Sequence, residues 1–166
     1  MKQIFKFIAG YCWTIIKNTI HKLQVLRNIV IIINATNPPD KWKLYKRGLS
    51  HDNSKYRWSE CKSIAKVVFK LRSSTYGSKE YEEMLDSFRP AVQLHYDRNP
   101  HHPEHYKNGI KEMSDIDKIE MICDWVSACR KHTNGDIFRS IRINQKRFNY
   151  NNDFKKWLIR MAKILS

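Results

Sequence analysis

The stretch HYDRNPHHPEHY, residues 95–106, places four of the chain's seven histidines, His95, His101, His102 and His105, within eleven residues. Two more stand apart: His21 in an apolar run and His51 directly before Asp52. Acidic partners follow at Glu120 and Asp124, one helical step apart in EMICDW. Neutral imidazole and carboxylate together are ligands for first-row transition metals, and a set gathered from several segments makes a rigid cage with room for water or a substrate oxygen. The cysteines at 12, 61, 123 and 129 form no Cys-x-x-Cys pair, which disfavours a soft thiolate site and fits reduced thiols in a cytosol. A finger-type zinc is disfavoured for the same reason, since ligand pairs at short spacing are absent outside the histidine run.

The elements that must hold these residues read as helices. From Ile4 to about Asn34 apolar residues recur at three- and four-residue steps, predicting one long helix or two, and NATNPPD ends it. KWKLYKRGL reads as a short helix finished by Gly48, and SHDNSKY as a turn feeding another helix, with Asp52 also placed to cap it. SSTYGS is a loop. KEYEEMLDSFRPAVQLHYDRN is a helix, with apolar residues at Tyr81, Met84, Leu85 and Phe88, a kink expected at Pro90, and His95 near its end. Pro100 and Pro103 stiffen the loop carrying the other histidines. SDIDKIEMICDWVSACRKH is an amphipathic helix with Ser114 as N-cap, ended by TNGD, with His132 at its C-terminus and Met121 and Trp125 in the core. The expected architecture is all-α, a single domain over 1–166 with a basic, aromatic-rich helical segment at about 137–166.

The 31 Lys and Arg against 16 Asp and Glu give a formal charge of +15, a field that draws phosphate-bearing molecules without saying which. The expected partner is an anionic phosphate-bearing substrate, with nucleic acid a further candidate. The run Ile4–Ile16 is the one segment that could mimic a signal or anchor, but Lys6 interrupts it and no convincing cleavage site follows. No stable membrane insertion and a cytoplasmic location, of the host cell if the protein is viral, are therefore expected. The oligomeric state is not legible.

The ordered set His21, His51-Asp52, His95, His102 and Asp124 resembles the H…HD…H…H…D order of the HD-domain superfamily, all-helical metal-dependent phosphohydrolases. HDNSKY, HYDRNPHHPEHY and EMICDW resemble a small HD-like family of phages and bacteria. The resemblance implies a helical bundle in which His21, His51, Asp52 and Asp124 hold one metal and Asp52 bridges to a second bound by His95 and His102, with His101 the rival for that last place. It also implies that Lys55, three residues after Asp52, contacts a substrate phosphate, a role its charge suits. One or two ions of Mn, Fe, Co, Ni or Zn fit such ligands, with Mg a further candidate.

Two cations sharing a carboxylate would lower the pKa of a bridging water and clamp phosphoryl oxygens, so the expected activity is hydrolysis of a nucleotide or other phosphate ester, phosphodiesters included. Asp52, Lys55 and Glu120 are the candidate catalytic residues. Glu120 would accept a hydrogen bond from a ligand or carry a proton, the plain alternative being a solvated side chain. His105 would stack or hydrogen-bond near the ligands. The competing reading is a basic module that binds nucleic acid or an acidic protein, its metal site structural or vestigial. The tail's aromatic residues either pack on the body or form a nucleic-acid surface.

Overall fold

The computed structural model describes residues 2–62, 79, 83, 86, 89–131 and 135–166. They form α1 (Lys2–Thr36), α2 (Lys41–Ser50), α3 (Arg89–Arg98), α4 (Asp115–Cys129), α5 (Ile137–Phe148) and α6 (Asn152–Leu165), with 3-10 turns at Asn53–Tyr56, Pro103–His105 and Gly109–Lys111. No strand occurs among the described residues, so the fold is all-α. The expected SSTYGS loop, the apolar positions Tyr81, Met84, Leu85 and Phe88, and His132 lie outside the described residues. Pro90 lies in α3, whose described part begins at Arg89.

Backbone contacts divide the chain into two compact units, 1–20 with 52–99 and 21–51 with 100–166. In the first, Phe7, Tyr11 and Trp58 form an aromatic cluster with ring centroids 5.7–6.5 Å apart. The Thr19 and Tyr56 hydroxyls meet at 3.0 Å, fixing the 3-10 turn Asn53–Tyr56 to α1. Residues 58–62 are helical, and α3 packs on the 3-10 turn.

The second unit is built around α4. Its apolar face, Ile119, Met121, Ile122, Cys123 and Val126, is buried with Val25, Ile29 and Ile32 of α1, Leu44 of α2, Ile141 of α5 and Leu158 of α6. Ser114 starts α4 with a reciprocal capping box, its hydroxyl accepting from the Asp117 N–H while the Asp117 carboxylate accepts from the Ser114 N–H. Buried Asn28 donates to the Cys123 carbonyl at 3.1 Å and the Ser127 hydroxyl at 2.9 Å, pinning α1 to α4 beside Asp124. The basic tail is two helices, broken by left-handed Asn149, and its Phe138, Phe148, Phe154 and Trp157 pack against the core.

Gly48 does not end α2, which continues through Ser50. The glycine is buried, and a Cβ there would stand 2.8 Å from the Leu26 Cδ1 and 3.2 Å from the Ile29 Cδ1, so its lack of a side chain lets α2 lie against α1. The helix ends at His51, whose N–H is 3.4 Å from the Gly48 carbonyl. Gly48→Val should therefore lower stability by about 1–3 kcal/mol through overpacking, read as a shifted urea midpoint at unchanged m-value.

Candidate metal centre

Within the second unit, three elements bring His21, His51 and Asp124 together. Both histidines are buried: His21 points inward from α1 and His51 closes α2, while Asp124 is on α4. His21 Nε2 lies 2.8 Å and His51 Nε2 3.8 Å from Asp124 Oδ1, and one ligand atom from each residue falls within 4.8 Å of the others. Burial alone would raise the Asp124 carboxyl, but the His21 hydrogen bond and the charges of His21, His51 and His101 outweigh it and hold the group well below the usual carboxylate range. Two imidazole nitrogens and an ionised carboxylate at this separation fit a divalent transition metal.

His51, His101 and Glu120 form a second such group. Glu120 is buried, and both its oxygens are engaged. Oε1 accepts from His51 Nδ1 at 2.8 Å and faces His101 Nδ1 at 3.3 Å. Oε2 accepts from Arg47 Nε at 2.7 Å and lies 2.5 Å from its Nη2. Arg47 reaches on to Asp117 Oδ1 at 2.9 Å, and Tyr106 donates to Asp117 Oδ2 at 2.8 Å. Burial opposes ionisation of Glu120, yet the hydrogen bonds and charges of His101 and His51 bring it down to about 2. Because a carboxylate only accepts, His51 carries its proton on Nδ1 and turns Nε2 toward Asp124. The i, i+4 pair Glu120 and Asp124 thus holds opposite edges of one imidazole ring.

His101 joins this group, its ring centroid 4.5 Å from that of His51. The ring of half-buried His102 lies 4.2 Å from that of His101 at a 42° tilt, and exposed His105 sets its ring edge against Tyr106 at 4.7 Å. Burial and the charges of Glu120 and Asp124 push the Cys123 thiol well above its usual range.

In the first unit, Asp52 adopts a left-handed backbone, φ 53°, and makes no side-chain cap hydrogen bond to the 3-10 turn it precedes, contrary to the capping expectation. Its carboxylate is used otherwise. Oδ2 accepts from Lys55 Nζ at 2.5 Å, and Oδ1 lies 3.4 Å from His95 Nε2. Lys55, expected to reach a phosphate, rests on this carboxylate. Arg47 and Asp117 belong to these networks and were not among the expected site residues, though the Ser114 cap, which places Asp117, gave a local signal.

A family model matches residues 14–164, nearly the whole chain. The chain belongs to the DUF5662 family, a family of unknown function. No curated protein and no solved structure matches it.

The lowered Glu120 carboxyl gives a pH signature. A carboxyl depressed in the folded state contributes stability that is present above its ordinary value of 4.5 and lost as pH falls through about 2. Glu120→Gln should cost the metal-free protein roughly 3 kcal/mol or more near pH 6, because the change breaks a buried ionic network. The gap to wild type should narrow steadily below pH 4.5 in denaturant titrations. A gap that stays constant with pH would show that Glu120 carries no charge in the folded protein.

Proposed function

We propose that this protein is a metal-dependent phosphohydrolase of the HD type, acting on a nucleotide or another phosphate ester, phosphodiesters included. The observation that carries the reading is the His21–His51–Asp124 group, a half-buried carboxylate flanked by the Nε2 atoms of two buried imidazoles. Its support in sequence is the H…HD…H…H…D order. Mn, Fe, Co, Ni or Zn would suit the nitrogen and oxygen donors, and Mg is a further candidate.

When bound, such an ion polarises a phosphoryl oxygen and brings the pKa of a water toward neutrality. The chain's own residues do the rest. Asp124 stays ionised at neutral pH and offers charge to a cation. Glu120 fixes the face that His51 presents. Lys55, an ammonium held by Asp52, would turn to a substrate phosphate when a metal competes for Asp52. The +15 charge raises the local concentration of any phosphorylated substrate.

That same charge favours a second reading, a basic module whose partner is nucleic acid or an acidic protein. The two separate cleanly. Elemental mass spectrometry of protein purified without chelators should find stoichiometric transition metal, lost in the His51→Ala, Asp52→Ala double variant and in Asp124→Asn. Asp124→Asn should also reduce hydrolysis of phosphate esters by at least ~100-fold, with a melting curve showing a folded chain. No metal after reconstitution with Mn, Fe, Co, Ni or Zn, together with steeply salt-dependent nucleic-acid binding unaffected by Asp124→Asn, would replace the enzyme reading with the binding one.

A further inference from the structure

Helical residues 58–62 carry Glu60, a carboxylate only 1% exposed that nothing above has used. Oε1 accepts from Arg98 Nη1 at 2.7 Å. Oε2 accepts from the Ser54 hydroxyl at 2.8 Å and faces His95 Nδ1 at 3.2 Å. Paired with the Arg98 guanidinium on one oxygen and accepting the Ser54 hydroxyl on the other, the carboxylate serves as an acceptor. Nδ1 of His95 must then be the donor.

Other neighbours of that nitrogen do not reverse the assignment. The Asn99 amide nitrogen is 3.0 Å from Nδ1, yet its two hydrogens point to closer acceptors, Ser54 Oγ at 2.8 Å and the His95 carbonyl at 2.7 Å. Ser54 Oγ is 3.3 Å from Nδ1, and its single hydrogen goes to Glu60. Neither group has a proton left to give the ring.

We infer that Glu60 is a positioning residue that fixes His95 as its Nδ1–H form, so that Nε2 of the neutral ring is the atom offered to a divalent cation beside Asp52. The inference rests on the metal-binding reading above, and deepens it by naming what sets the ligand atom. The construction repeats the one around His51: a buried glutamate takes an arginine on one oxygen and an imidazole Nδ1 on the other, Arg98–Glu60–His95 here and Arg47–Glu120–His51 there. The arginine adds more than charge. As a pure donor it demands an oxygen at its own contact, and so dictates which atom of the side chain faces the histidine.

Glu60→Gln tests this, because Arg98 holds the amide oxygen and leaves the NH2 facing His95. An NH2 only donates, so Nδ1 becomes an acceptor and the proton moves to Nε2. The ring-nitrogen NMR shifts of the full chain without metal, read on the alkaline plateau where the imidazole is neutral and assigned by difference against His95→Ala, should show Nδ1–H in wild type and Nε2–H in Glu60→Gln. Calorimetric affinity for Zn(II) should fall about 10–100-fold in the variant. An Nε2–H ring in wild type overturns the inference without requiring any variant to fold. A variant that keeps Nδ1–H, or one that inverts the ring yet binds Zn(II) within about twofold of wild type, overturns it as well. If wild type binds no metal at all, the proposed function fails on its own account, while the NMR comparison still decides whether Glu60 sets the tautomer.

Discussion

Burying the Glu120 carboxylate is the constraint around which the second unit is arranged. An ionised group taken out of water costs several kcal/mol unless each of its lone pairs meets a donor, and in this protein the donors are Arg47 of α2, His51 just past its end and His101 in its loop. Arg47 would itself be a buried charge in excess if it faced one carboxylate loosely. It instead spans Glu120 and Asp117, and Asp117 is held in place by the Ser114 cap and by the Tyr106 hydroxyl. Burial and the neighbouring Asp117 push Tyr106 up to about 12, so its hydroxyl stays protonated and keeps donating. The helix cap, the ion pair and the histidines are one connected polar network in an otherwise apolar core, and such networks are stable only when complete.

The orientation of His51 follows from that network, and its position from packing. Gly48 lets α2 approach α1 at Leu26 and Ile29, and α2 then ends three residues later with His51 turned inward. Asn28 locks α1 to α4 at Cys123 and Ser127, so that His21 meets Asp124. Apolar contacts alone tolerate sliding of one helix along another. A buried amide with named partners does not, because each shifted register leaves it unsatisfied.

Much of this was legible in the sequence, for physical reasons that also mark where legibility ended. The 3.6-residue period, the Pro38-Pro39 break and the Ser114 cap are local signals, and the helices they foretell are present as α1, α2 and α4. The joining of His21, His51 and Asp124 rests on the type and order of residues far apart in the chain, and their order carried it. Arg47 and Glu60 were invisible because a partner 73 or 35 residues away leaves no periodic trace, and a charged residue in a helix is most often solvated. Gly48 misled because the chemistry that ends a helix and the chemistry that allows close approach use the same residue. Asp52 misled likewise: an aspartate before a helical turn suits a cap, but its carboxylate has a stronger claim from the Lys55 ammonium.

The distribution of charge carries the argument one step further. Among the described residues, the acidic side chains of Asp52, Glu60, Asp117 and Glu120 are buried, each beside a histidine, lysine or arginine. The basic helices α5 and α6 turn their aromatic side chains to the core and leave cations such as Arg142, Lys146, Lys156 and Lys163 exposed. These four carboxylates lie where screening is weak and a carboxylate holds a cation strongly, while the cations of α5 and α6 face outward, where long-range attraction gathers anions. A protein that only had to bind a polyanion would need the second half of this arrangement and none of the first. Histidines held at Nδ1 by buried carboxylates turn Nε2 outward, the arrangement that the proposed metal-dependent function requires.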